Sequence, residues 1–384
     1  MGDSDVRDAF FLYWEKLAQH TGWIDLGMGM PPASFFSHVL PIERTLRAGL
    51  AERSNYQPQA GHLQVREAIA AYEAQRTGLA YTRDNVMLVA GAIRGFSLAI
   101  DCLTDPRTSL VELVPTYPLL SGYARYAAHQ LGCRLTSIKP GDTLDFSPQS
   151  DELLSRLDSH SVFYLTDPSN PTGRYITVPF LTQCASLCEE LGAFMIVDQS
   201  CDIPFEHDES RYHWAANRSV IRIRSFSKDL LLAGFRTGYI IASPELIEMF
   251  SRRYAFSDGN APVTVNEAIL QYVKTPNLMS EISKVVHARV KSTFKELALC
   301  PRIEHLISPE ACYYILVKID YPGTSWNLFD YLLRSGVNVV PGVLFGIDDH
   351  EPWIRICCAR TDEVLISGLA RLKQALINLS QTAR

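Results

Sequence analysis

The chain has 384 residues, 47% hydrophobic and 20% charged, which is enough apolar mass for one large core or two unequal ones and ordinary for a globular enzyme. Lys plus Arg number 36 against 42 for Asp plus Glu, a formal net charge of −6, and no long basic run tracks a phosphate backbone, so nucleic acid is not an expected partner. No stretch reaches the roughly 18 apolar residues of a membrane span. The nine scattered cysteines, odd in number, argue against a complete disulfide framework and for a reducing cytoplasm.

In chain order, MGDSDVRDAFFLYWEKLAQH is acidic with apolar residues at helical spacing, and predicts a helix where a signal peptide would need a basic start and an apolar run. The runs NVMLVA (85–90), SLVELV (109–114), SVFYLT (161–166), AFMIVD (193–198) and VIRIRS (220–225) predict strands. Helical patterns lie between them at 92–102, 119–131 and 179–191. This alternation implies an α/β fold with a mainly parallel, doubly wound sheet. After about residue 273 the rhythm changes to long helices (279–299, 362–379) and a few strands such as CYYILVKI (312–319), predicting a smaller α+β domain. The expected division is 1–44 for an amino-terminal segment shared with the small domain, 45–273 for the large domain and 274–384 for the small one. Cys184 and Cys188 sit four apart on a helix and Cys357 adjoins Cys358, but no paired CxxC or histidine cluster completes a metal site, so core packing and no metal are expected.

Ligands of open α/β sheets collect at the carboxyl ends of the strands. After NVMLVA comes Gly91-Ala92-Ile93-Arg94-Gly95, a small-residue turn opening a helix, whose free amides at Ala92 and Ile93 suit an anion. After SVFYLT, DPSNPTGR sets Asn170 in a proline-fixed turn. Each of these, alone, is also compatible with an ordinary turn. AFMIVD ends in Asp198, a carboxylate closing a buried run and expected to meet a positive partner. VIRIRS delivers Ser225, Ser227 and Lys228, with Arg236 following. Pyridoxal phosphate needs these groups together. Its aldehyde condenses with a lysine (Lys228), a carboxylate (Asp198) keeps its ring nitrogen protonated, and its phosphate needs an anion pocket with Ser225, Ser227 and Arg236.

With these residues in view, the chain resembles the fold-type I pyridoxal-phosphate enzymes, specifically the class I/II, aspartate aminotransferase-like family, from about Gly22 to Leu372. SFSKDLLLAGFRTGY is similar to the family's lysine segment, and NYQPQAGHLQVREAIAAY to the stretch that sends a tyrosine, here Tyr56, to the partner subunit's phosphate. IDLGMGMPPASF resembles the amino-terminal segment, placing Gly29 near the substrate carboxylate, and VVPGVLFG resembles a further family segment. The resemblance implies that Tyr117 of VPTYPLL stacks on the cofactor. It implies that Asn170 of NPTG bonds the phenolic oxygen near the substrate carboxylate, and that Arg355 of EPWIRICCAR grips that carboxylate with its two-pronged fork. Two departures stand out. Cys201 occupies the place of a tyrosine that donates to the phenolic oxygen, and Ile93 that of a hydroxyl or polar residue in the phosphate turn.

The resemblance implies an aminotransferase acting on an L-amino acid by aldimine exchange at Lys228 and Cα deprotonation, as a homodimer with shared active sites. Cys201 motivates an alternative, a non-transaminating cyclase or eliminase of secondary metabolism similar to the capreomycidine and enduracididine synthases, which act on hydroxylated arginine. A third possibility, a cofactor-binding regulatory domain fused to DNA-binding helices, is disfavoured because no basic amino-terminal module is present.

Overall fold

The computed structural model describes residues 5–32, 34–35, 56–141, 144, 146, 148 and 150–382. The expected boundary at residue 44 lies outside them. The acidic start forms helix α1 (Asp5–Ala18), and strand β1 (Ile24–Asp25) follows. Next come α2 (Leu63–Thr77), β2 (Val86–Val89), α3 (Ala92–Leu103), β3 (Ser109–Leu113), α4 (Pro118–Leu131) and β4 (Arg134–Ile138). The alternation continues through α5 (Ser150–Leu154), β5 (Ser161–Thr166), α6 (Val178–Leu191), β6 (Phe194–Asp198), β7 (Val220–Ser225) and β8 (Gly238–Ile241).

These strands form a seven-stranded sheet in the order β2-β8-β7-β6-β5-β3-β4. Every pairing is parallel except those of β8, which runs antiparallel to both β2 and β7. The unbroken apolar runs follow from burial on both faces. On β5, Val162 and Tyr164 pack with Phe96 of α3 and Leu120 of α4, while Phe163 and Leu165 pack with Phe180 and Cys184 of α6. Cys188 joins the same α6 core, as expected of a packed thiol.

The chain continues with helices α7 (Pro244–Ser257), α8 (Asn266–Lys274) and α9 (Leu278–Ala298), then β9 (Ile303–Leu306), β10 (Tyr314–Ile319) and α10 (Ser325–Arg334). It ends with β11 (Val337–Asn338), β12 (Val340–Pro341), β13 (Trp353–Cys357) and α11 (Asp362–Thr382). A four-stranded antiparallel sheet has the order β12-β13-β10-β9. Strand β1 pairs in parallel with β11, fastening the amino-terminal segment to the carboxyl-terminal third.

The strand expected from residue 312 starts at Tyr314, because Cys312 has φ of 62°, in the left-handed region that no ladder residue adopts. Strands β4 and β8 lie outside the expected set. Strand β4 is an edge strand with exposed and half-buried positions, so it lacks the apolar run that marks its neighbours. Among the described residues no helix is long and apolar enough to cross a membrane.

Candidate active site

Strand β7 is buried at every position and ends at Ser225, so the chain leaving it carries Lys228 into the interior at the sheet's carboxyl edge. The Lys228 ammonium donates to the carbonyl oxygen of Gly29 and lies 3.2 Å from the Met30 sulfur. Burial lowers its pKa from the ordinary lysine value, which raises the share of neutral amine near neutral pH.

One strand over, Asp198 closes β6. The Ser200 amide donates to its Oδ1 at 3.0 Å and the Ser200 hydroxyl donates to the same oxygen, while no hydrogen bond reaches Oδ2 among the described residues. Burial raises the Asp198 pKa, against those two bonds and the nearby Lys228 and Arg224 charges. A cation placed against Oδ2 would reverse that shift.

At the end of β2 the backbone turns through Gly91, with φ of 86°, into α3. Ala92 and Ile93 begin that helix, so their amides have no acceptor within it. The glycine also makes room for a charge: a Cβ there would come within 2.5 Å of Arg236 Nη2. Arg236 itself has φ of 52°, an uncommon conformation for a residue with a side chain, and its Nη1 is held by the Ala233 carbonyl at 2.9 Å. Gly238 allows the close approach behind this cradle, since a Cβ would lie 2.5 Å from the Arg224 carbonyl oxygen.

Arg355 on β13 faces the lysine from the other side. Its Nη1 donates to Asn170 Oδ1 at 2.8 Å and its Nη2 to the Gly27 carbonyl at 2.9 Å, while Nε is buried without an acceptor. The guanidinium carbon lies 4.1 Å from the Tyr314 ring centre and 5.0 Å from that of Phe345. Cation–π contact of this kind fixes the plane of the fork.

A cavity of about 240 Å³ joins these groups. It is lined by Ala92, Ile93, Ser225, Ser227 and Arg236, the groups suited to a phosphate, together with Lys228, Asp198 and Cys201. Tyr117, Asn170, Gly29 and Arg355 complete the set brought together from the expected residues. Tyr56 does not line this cavity and is 95% exposed in the single chain. Gly27, rather than Gly29, bonds the Arg355 fork, whereas Gly29 accepts from Lys228. Cys201 is buried beside Cys312. A hydrogen bond from that thiol, with Lys228 nearby, lowers the Cys201 pKa, and burial raises that of Cys312. An anion cradle, a desolvated lysine and a buried carboxylate with one oxygen open fit pyridoxal phosphate.

Several contributors escaped the sequence reading. Arg360 spends its donors on the carbonyl oxygens of Asp25, Met28 and Met30 and on the Asp25 carboxylate, clamping the segment that carries Gly27 and Gly29. Its place in EPWIRICCAR, on the Arg355 segment, was a signal without a direction. Phe10, Tyr13 and Trp14 of α1 also line the cavity, more than 200 positions from Lys228, and their helical spacing reads equally well as ordinary packing.

The family described as aminotransferase class I and II matches residues 21–372. An aspartate aminotransferase of Pyrococcus horikoshii is 26% identical, over 97% of this chain and 94% of its own. An aromatic aminotransferase of Arabidopsis thaliana is also 26% identical, over 85% of this chain and 83% of its own. Among solved structures, a double mutant of Thermus thermophilus aspartate aminotransferase superposes with a TM-score of 0.83 at 20% identity, covering 98% of this chain and 97% of its own, a likeness of fold.

Proposed function

Because the chain belongs to the class I and II aminotransferases, a family dependent on pyridoxal phosphate, we propose that it removes the α-amino group of an L-amino acid at Lys228. The observation that carries this reading is the placement of a desolvated lysine, the Asp198 carboxylate and the Arg355 fork on one cavity. When bound, the cofactor supplies a carbonyl carbon for the amine and a ring that accepts the electrons of the broken Cα–H bond. The Gly91 turn, Ser225, Ser227 and Arg236 would hold its phosphate. Asp198, through Oδ2, would keep the ring nitrogen protonated, and Tyr117, Asn170 and Cys201 would hold the ring and its phenolic oxygen. Arg355, steadied by Asn170 and the two aromatic rings, grips the α-carboxylate so that the Cα–H bond faces Lys228 Nζ. That nitrogen then takes the proton and returns it. In the homodimer this reading requires, Tyr56 reaches the other subunit's phosphate, and a large domain over 45–273 is flanked by a small one built from both chain ends.

Holoenzyme mixed with amino donors should shift its cofactor absorbance to the aminated form and release a keto acid, and borohydride followed by peptide mapping should label Lys228. Label on another lysine would overturn the assignment. Cys201 supports a second reading, elimination or ring closure on a hydroxylated arginine, since a thiol is a weaker donor than the phenol usual at that place. Its signature is product without accumulation of the aminated cofactor.

A further inference from the structure

The part of the cavity lined by helix α1 and the 27–30 segment differs in chemistry from the phosphate cradle. Lys228, Arg236 and Arg355 are the cations of the whole cavity among the described lining residues. Arg236 lies against the Gly91 turn, and the Arg355 fork is already oriented by Asn170 and Gly27 for one carboxylate. Arg360, the next guanidinium along, is consumed by the 25–30 segment through Asp25, Met28 and Met30. Once the α-carboxylate is bound, no cation among the described residues of this wall remains for a second carboxylate on the substrate, and a buried carboxylate without a partner is strongly disfavoured.

What remains is apolar and largely aromatic. Helix α1 contributes Phe10, Tyr13 and Trp14, and Met28 and Leu344 continue the surface toward Phe345. The rings of α1 are set edge to face, Phe10 to Trp14 at 6.3 Å and Tyr13 to Trp14 at 5.7 Å. Tyr13 is no polar anchor for a substrate: its hydroxyl donates to Asn338 Oδ1 at 3.1 Å, its ring packs on Phe329 at 5.3 Å, and burial pushes its pKa up to about 12. Its ring therefore serves as a fixed surface, while Trp14, 42% exposed, closes the outer edge.

We propose that this wall receives a large aromatic side chain, so that the amino donor is an aromatic amino acid and dicarboxylic amino acids are poor substrates. The inference rests on the aminotransferase reading and adds the substrate class. An aromatic ring set edge to face against Phe10, Tyr13 and Trp14 gains area and quadrupole contact, with no polar group left unpaired.

The test uses cofactor-loaded enzyme in two arms. In the first, single-turnover conversion of the cofactor is followed with L-phenylalanine, L-tyrosine, L-tryptophan, L-alanine, L-aspartate and L-glutamate. The expected result is kcat/KM for the aromatic donors on the order of 100-fold above that for aspartate. Trp14→Ala, on the outer edge of α1 where folding is little affected, should lower the phenylalanine-to-alanine ratio about tenfold. The second arm needs no turnover: 3-phenylpropionate should bind roughly tenfold or more tighter than succinate, read from the cofactor spectrum or by calorimetry. Faster conversion of dicarboxylic donors overturns the substrate class, as does an unchanged phenylalanine-to-alanine ratio in both Trp14→Ala and Phe10→Ala. If no donor of any class is converted, the aminotransferase reading fails by itself, and tighter binding of succinate than of 3-phenylpropionate still refutes the aromatic wall.

Discussion

The surroundings of β7 hold two clusters of charge that treat their partners in opposite ways. Within the strand, Arg222 and Arg224 turn toward a closed set. Arg222 reaches Glu73 of α2 at 2.9 Å, Arg224 reaches Asp202 at 3.1 Å, and Arg76 reaches Asp202 at 2.6 Å, all of them buried. Tyr239 adds a hydroxyl to Glu73 at 2.6 Å, and Tyr175 and Tyr212 add theirs to Asp202 at 2.6 and 3.0 Å. Burial alone would raise the pKa of Glu73, yet the three guanidiniums hold it far below the carboxylate range. Past the end of the strand, Lys228, Arg236 and Arg355 pair with no carboxylate among the described residues. With Asp229, 3.9 Å from Arg224, carboxylates and guanidiniums of the buried set match in number. A cluster that neutralises itself is accounted for by folding, whereas one that leaves its cations open is organised for something that binds.

The largest expected effect is a test of the open cluster. Lys228→Ala should reduce turnover at least about 10⁴-fold, since it removes both the nucleophile and the proton carrier. Its melting temperature should stay level or rise, because the lost group is a desolvated amine. A steady-state assay with a thermal melt reads both, and a Lys228→Ala enzyme that loses stability as a network member would breaks the comparison.

Glu73→Gln is the converse experiment. It should cost about 3–5 kcal/mol of unfolding free energy, because buried guanidiniums lose their carboxylate, while the folded fraction keeps its specific activity. Because the folded-state pKa of Glu73 is depressed, its contribution is present above the ordinary glutamate value and lost as pH falls. Urea unfolding at pH 7 and at pH 4 should therefore show a smaller gap between wild type and variant in acid.

Arg355→Lys keeps the charge and discards the fork. A single ammonium cannot hold a carboxylate with two parallel donors, so kcat/KM should fall about 10²-fold, with the loss shared among all amino donors and the melting temperature little changed. A loss confined to one class of donor would move Arg355 from the α-carboxylate to the side chain.

How far these arrangements were legible in the sequence depends on whether the signal was local. Five strands of the large sheet, all but β4 and β8, announce themselves as apolar runs because both faces are covered, as Val162 and Phe163 show by packing in separate cores. The residues gathered at the cavity were legible as types at strand ends, Lys228 after β7 and Asp198 closing β6. The closed network was not. In LQVREAIAAYEAQRT, Glu73 and Arg76 read as the solvated face of a helix, and only the fold brings Arg222, 149 positions away, against Glu73. The same holds for the Lys228 contact with Gly29, across 199 positions, and the Tyr13 contact with Asn338, across 325. Cys312 was hidden differently: it sits in an apolar run that predicts strand, and its left-handed backbone turns it out of the ladder toward Cys201.

A third kind of charge sharpens the contrast, a buried carboxyl that belongs to neither cluster. Asp167 follows β5 and is 3% exposed; the Ile176 amide donates to its Oδ1 at 2.8 Å, and no cation pairs with it among the described residues. Burial pushes its pKa up to about 7. The unfolded chain releases this proton near the ordinary aspartate value of about 3.9, so between there and about 7 the folded state holds a proton that the unfolded state has lost. Stability therefore falls as pH rises through that window, and the penalty is complete above it. Asp167→Asn keeps the acceptor for Ile176 and removes the ionisation. It should gain on the order of 2 kcal/mol over wild type at pH 8 and close to nothing at pH 4. Chemical unfolding of both proteins at the two pH values decides the matter: an equal difference at both would mean that Asp167 finds a compensating charge, and the division between closed and open sets would then have to include it.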